Sequence, residues 1–165
     1  MDYSRDLARI AHQEKALRFP RFDADVAWRV GCALRDAALA HKSSIAIDIT
    51  VNGALLFYAA LPGATPENND WIRRKKNSMA RCHRSTYALA REYRQSETTL
   101  EQRCGAPLVD FATAGGCFPI RMLESEAVIG SITVSGLPER EDHALVVRCL
   151  AEHLEVDPVS VALEG

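Results

Sequence analysis

The residues most able to do chemistry fall in three short stretches: "WIRRKKN" (71–77), "AGGCFPIR" (114–121) and "LPEREDH" (137–143). The first puts Arg73, Arg74, Lys75 and Lys76 in one run, enough cationic charge to hold an anion. Ile72, Lys75, Met79 and Cys82 share one face at helical spacing, so an ammonium sits on an apolar stripe. Two readings stay open for Lys75: its stem covers apolar surface while its head reaches water, or it joins Arg74 and Asn77 in an anion pocket. Cations in the first turn of a helix oppose its dipole. With the helix beginning near Asp70, "WIRRKKN" therefore calls for an anionic ligand, or for acids from elsewhere in the fold or from a partner subunit.

The second stretch carries Gly115, Gly116 and Cys117. The glycine pair lacks the spacing of a phosphate loop, and the chain does not contain the GxSxG of a nucleophile elbow. Paired glycines beside strand residues mark a bulge or the close approach of another group, and Pro119 suits an edge strand. Cys117 is a nucleophile only if a base such as His83 or His143 lies near it; otherwise it is a small core thiol. In the third stretch Asp142 suits a helix start. His143 is a candidate ligand-binding or acid–base group, but no second residue at metal-ligand spacing accompanies it, so no metal site is expected. No catalytic residue can be assigned.

The elements that must position these residues follow from periodicity. Tyr3, Leu7, Ile10 and Leu17 give a first helix, and Asp23 caps a second whose buried stripe is Ala27, Val30, Leu34, Ala37 and Ala38. "SIAIDITV", Asn52-Gly53 and "ALLFYAAL" read as a β-hairpin with a type I′ turn. "PGATPENND" reads as a loop, and a long helix is expected from about Asp70 to Arg94. A short helix within 96–107 follows, then two strands around "CFPIRML" and "AVIGSITVS", and a helix opened by Pro138. The expected order is α-α-β-β-α-(α)-β-β-α. Tight turns between neighbouring strands make this an α+β fold with a mainly antiparallel sheet covered by helices.

The 165 residues suit a single domain, 1–165. A formal net charge of −2 gives no global pull toward nucleic acid, and aromatic residues are not interleaved with the cations. No apolar run approaches the ~18 residues of a membrane span. The first fifteen residues lack the apolar core of a secretory signal. Five cysteines, odd in number and without a CxxC pair, fit reduced thiols and a cytoplasmic location.

At "NNDWIRRKKN", "GGCFPIR" and "IGSITVSGLPEREDH" the chain resembles the GlcG-like haem-degrading-domain superfamily, within a branch of small proteins carrying WIRRK and GGxFPI motifs. The resemblance spans roughly Phe22 to Leu154. It implies a profilin-like sandwich and assembly into dimers and larger homo-oligomers, and some relatives bind haem or iron. Three readings stand for this chain: a homo-oligomer binding a small molecule (an anion or a tetrapyrrole), an enzyme using Cys117 or His143, or an oligomeric protein-interaction scaffold. Carried over to this chain, the shared positions are Trp71, Arg73, Arg74, Lys75 and Asn77, then Gly115, Gly116, Phe118, Pro119 and Ile120, then Gly130, Ser135, Gly136, Asp142 and His143. Where that pattern often has a histidine before the glycine pair, this chain has Ala114.

Overall fold

A computed structural model describes residues 3–164. Four strands form one antiparallel sheet: β1 (Ala46–Val51), β2 (Ala54–Ala60), β3 (Cys117–Arg121) and β4 (Val128–Ser135), in the order β2-β1-β4-β3. The first hairpin turns on Asn52 and Gly53, whose φ values of 47° and 81° are those of the expected turn. Both faces of the sheet are covered. On one, α2 (Ala24–Ala40) and α6 (Glu139–His153) bury Ile47, Ile49, Phe118, Ile120, Ile132 and Val134 in the main core. On the other, α3 (Pro66–Cys82) lies over β1, β3 and β4, where Asp48, Ser131, Thr133 and Ser135 are buried. The alternation of apolar and polar residues along β1 and β4 thus separates a greasy face from a hydrogen-bonding one, and neither faces water.

Two boundaries differ from the sequence-based expectation. The basic helix begins at Pro66, not Asp70, because Thr65 and Asn68 close a capping box ahead of it. "WIRRKK" therefore lies in mid-helix, and Glu67 occupies the first turn. The expected long helix is also two helices. It stops at His83, which takes a left-handed conformation (φ 54°), and restarts as α4 (Thr86–Gln95), capped by the Ser85 side chain accepting from the Ala88 N–H. The Arg121 guanidinium donates to the His83 carbonyl and fixes the corner. Short helices α5 (Leu100–Cys104) and α7 (Pro158–Val161) and the N-terminal α1 (Ser4–Ala16) complete the elements.

The glycine pair precedes β3 and does not interrupt it. The stretch "LVDFATA" is turn and irregular chain, and β3 is an edge strand, as Pro119 suggested. Beyond it a single parallel bridge joins Phe19 to Met122. The opposite edge strand, β2, exposes Leu55 and Tyr58.

His83 holds a left-handed conformation that costs a non-glycine residue roughly 1–2 kcal/mol. Replacing it with glycine keeps the carbonyl that Arg121 needs. His83→Gly is expected to raise the unfolding free energy by about 0.5–1 kcal/mol in urea melts, net of the extra entropy of the unfolded glycine.

Candidate functional site

Lys75 is the centre of the hydrogen-bonding face. Its helical position carries it inward with Ile72 and Met79, leaving the side chain only 2% exposed. The ammonium donates to Asp142 Oδ2 at 3.0 Å and to the Val134 carbonyl at 3.0 Å. Asp142, equally buried in the first turn of α6, accepts the Leu137 N–H on its other oxygen at 3.0 Å. One ion pair thereby joins α3, the end of β4 and the start of α6. Burial pushes the Asp142 carboxyl above its usual range, while Lys75 and the Leu137 N–H pull it back.

The glycines make room for this pair. A Cβ on Gly116 (φ +118°) would stand 2.4 Å from the Val134 carbonyl oxygen and 2.8 Å from Lys75 Nζ. One on Gly115 would stand 2.1 Å from the Glu139 carbonyl oxygen and 2.8 Å from the Tyr87 ring. The close approach expected of the glycine pair is therefore made by the protein itself. Gly115 admits the first turn of α6 and the Tyr87 ring, and Gly116 admits the lysine.

The remaining cations are also matched from within. Arg73 bridges Asp70 and Asp110, and Arg74 donates to Asp70 and lies over the Trp71 ring at 4.1 Å. Lys76 donates to Asp48 and Thr50, and Asn77 to the Asp110 carbonyl. Of the two compensations open to the basic stretch, acids from elsewhere in the fold are present. Lys75, Gly115 and Gly116 come together around the start of α6, whereas Arg74 and Asn77 are committed to Asp70 and the 110 loop.

Cys117 lies wholly inside, its Sγ accepting from the Thr133 hydroxyl at 3.2 Å; burial pushes the thiol up to about 11. At neutral pH almost no thiolate forms, so nucleophilic chemistry has little to draw on. His143 is also fully buried, stacked on Tyr87 at 4.8 Å, with Nε2 2.8 Å from the side-chain oxygen of Gln13. Nδ1 has no hydrogen-bond partner. Burial, with Arg140 and Arg91 nearby, lowers its pKa to about 3, so the ring is neutral.

Two concavities matter. The smaller, about 380 Å³, opens above the ion pair and is lined by Thr65, Asn68, Trp71, Lys75, Ala114 and Asp142, among others. Glu67 and Glu139 also line it, with Glu139 held by Arg91 and Arg94. The larger, about 880 Å³, lies between the end of α2, α6 and α7. Its lining includes Ala37, Leu145 and Leu163 together with His41, Lys42 and Arg148. No sequence motif marks it, because its walls come from four separate segments: Gln13 of α1, the end of α2, α6 and the α7 region. Among the described residues no group of three His, Cys, Asp or Glu side chains could hold a metal ion, and no helix is long and apolar enough to cross a membrane.

An antiparallel sheet with helices on both faces and a buried polar cluster under one of them defines an α+β sandwich. Residues 22–151 match the family described as haem degrading protein HbpS-like, and the chain belongs to that family. A UPF0303 protein of Acidobacterium capsulatum is 49% identical over 150 residues, covering 91% of this chain and 90% of the relative. The crystal structure of Ybr137w superposes with a TM-score of 0.84 at 26% identity, covering 90% of this chain and 89% of that one. That of a PduOC:heme complex superposes at 0.66 with 15% identity, covering 79% and 93%, and shows a shared fold.

The depressed His143 pKa makes stability pH-dependent with a definite sign. The unfolded imidazole protonates near pH 6.5, the folded one only near 3. Between these values the unfolded state binds more protons, so stability falls as pH falls, by up to ~1.4 kcal/mol per pH unit. His143→Gln should flatten that part of the curve between pH 6.5 and 4 in equilibrium denaturation. An unchanged slope would assign the acid limb to other groups.

Proposed function

We propose that this protein binds a small molecule of the tetrapyrrole class, flat, largely apolar and edged with acidic groups, and that it works as a homo-oligomer. The observation that carries the reading is the cavity of about 880 Å³ bounded by α2, α6 and α7. Its size falls within the ~300–1,000 Å³ of small-molecule sites, and apolar walls with a few polar groups are the usual lining of such sites. Ala37, Leu145 and Leu163 offer apolar contact, while Lys42 and Arg148 offer cations to carboxylates.

Haem fits this donor set. His41 at the end of α2, the histidine that lines the cavity, would hold the iron through its imidazole. His143 does not line it and is already bonded to Gln13. When bound, the iron supplies redox and diatomic-ligand chemistry. The chain's own part is to hold the ring against α6, to pair its acidic edge, and to keep water from its apolar faces. Membership of the HbpS-like family and the likeness to a haem complex support the same ligand class.

An anion pocket built from Arg74, Lys75, Asn77, Gly115, Gly116, Cys117 and His143 has less support, because Asp70 and Asp142 already neutralise its cations. Assembly is supported by the open β2 edge, where Leu55 and Tyr58 are 58% and 44% exposed, near Trp28 at 63%. The five free cysteines support a reducing, cytoplasmic setting.

Titration with haemin should give a saturable Soret shift that His41→Ala abolishes and Arg148→Glu weakens. No saturable shift, or one indifferent to both substitutions, would remove this reading. Light scattering should return a multimer at micromolar concentration; a monomer would remove the assembly part.

A further inference from the structure

Lys75 lies in a different place from the apolar cavity, and its surroundings are those of a reactive amine as much as of a structural cation. An ammonium has three donors. Two are bonded, to Val134 and Asp142, and the side chain still lines the 380 Å³ cleft. The group hydrogen-bonded to it is a carboxylate in the same cleft, 3.0 Å away, able to take a proton from nitrogen and return it. Gly116 lets the nitrogen lie against the backbone beside Asp142, where any side chain would collide with it. Trp71, Ala114 and Leu137 offer apolar walls, and Thr65 and Asn68 offer polar groups.

We propose that Lys75 forms a Schiff base with a small neutral aldehyde or ketone bound in this cleft, with Asp142 as its proton acceptor and donor. The amine must first be freed: Asp142 takes one proton from the ammonium. The amine nitrogen then bonds to the carbonyl carbon while the carbonyl π pair moves to oxygen, which takes a proton from that nitrogen to give the carbinolamine. Asp142 returns its proton as the carbon–oxygen bond breaks, water leaves, and the C=N bond forms. Ammonium and carbonyl compound give protonated imine and water, with no oxidant or reductant, and the product cation remains beside the Asp142 carboxylate. Burial that raises the Asp142 pKa makes the first transfer less costly. Selection for a neutral substrate follows from charge. In the cleft Asp142 is paired with Lys75 and Glu139 with Arg91 and Arg94, so no lining cation is left for a carboxylate such as pyruvate, and Glu67 would repel it.

The chain has four lysines, Lys15, Lys42, Lys75 and Lys76, which makes the test direct. The full-length protein is incubated with glycolaldehyde, reduced with borohydride, and each lysine's hydroxyethylation is followed by peptide mass spectrometry. Burial alone would make Lys75 the slowest to label. Schiff-base chemistry makes it the fastest, ahead of the exposed Lys15 and Lys42, with pyruvate labelling it far less. In folded Asp142→Asn the Lys75 rate should fall ~10²-fold, the scale of general acid–base assistance, with Lys15 unchanged. The wild-type mapping needs no variant, so a poorly folded substitution leaves the test intact. Lys75 labelled last or at the rate of the exposed lysines, or labelled equally with pyruvate, overturns the proposal. Because the probe does not bind the α2–α6–α7 cavity chemistry, failure here leaves the haem titration unaffected.

Discussion

The salt bridge between Lys75 and Asp142 is the constraint around which this fold is arranged. A buried charge costs several kcal/mol to desolvate unless its partner is correctly placed. Lys75 therefore dictates where α6 must begin and how closely the 112–116 segment must pass. Gly116 is required because nothing larger fits beside the ammonium and the Val134 carbonyl, and Gly115 because the first turn of α6 and the Tyr87 ring press against the chain there. The Leu137 N–H satisfies the second carboxylate oxygen. Motifs far apart in sequence, "WIRRKKN", "GGCFPI" and "SGLPEREDH", thus describe one contact made from three directions.

The two faces of the sheet divide the work. The face under α2 and α6 is closely packed hydrocarbon, and it supplies the driving force for folding. The face under α3 carries Asp48, Ser131, Thr133 and Ser135, and it is buried with partners in place: Lys76 donates to Asp48, Asn68 to the Ser135 carbonyl, and Thr133 to the Cys117 sulfur, while Lys75 donates to the Val134 carbonyl between them. A helix so rich in cations would be poorly placed against most sheets. Here the polar face of the sheet and the basic face of the helix complement each other, and the cleft at their margin inherits a lysine and a carboxylate at hydrogen-bond distance.

Much of this was legible in the chain. Strict alternation and Asn52-Gly53 located the hairpin, and Pro119 and the glycines pointed to an edge strand with something pressed close to it. The acid that matches Lys75 was not legible, because it lies 67 residues away and Asp142 is explained locally as a helix-start residue. The break at His83 was hidden because a left-handed histidine leaves no composition signal, unlike glycine. The capping box of Thr65 and Asn68 lies inside "PGATPENND", whose proline, glycine and asparagine content reads as loop, although Pro66 there is a first-turn residue. The α2–α6–α7 cavity depends on how these helices meet one another and Gln13 of α1, which periodicity does not encode.

The most direct test of this account is a double-mutant cycle on the ion pair, read by equilibrium unfolding. Lys75→Met and Asp142→Leu should each lose about 3–5 kcal/mol, since each strands a buried charge. The double variant, with neither charge left, should lose much less than the sum of the two. Losses that simply add would contradict the claim that this pair organises the fold.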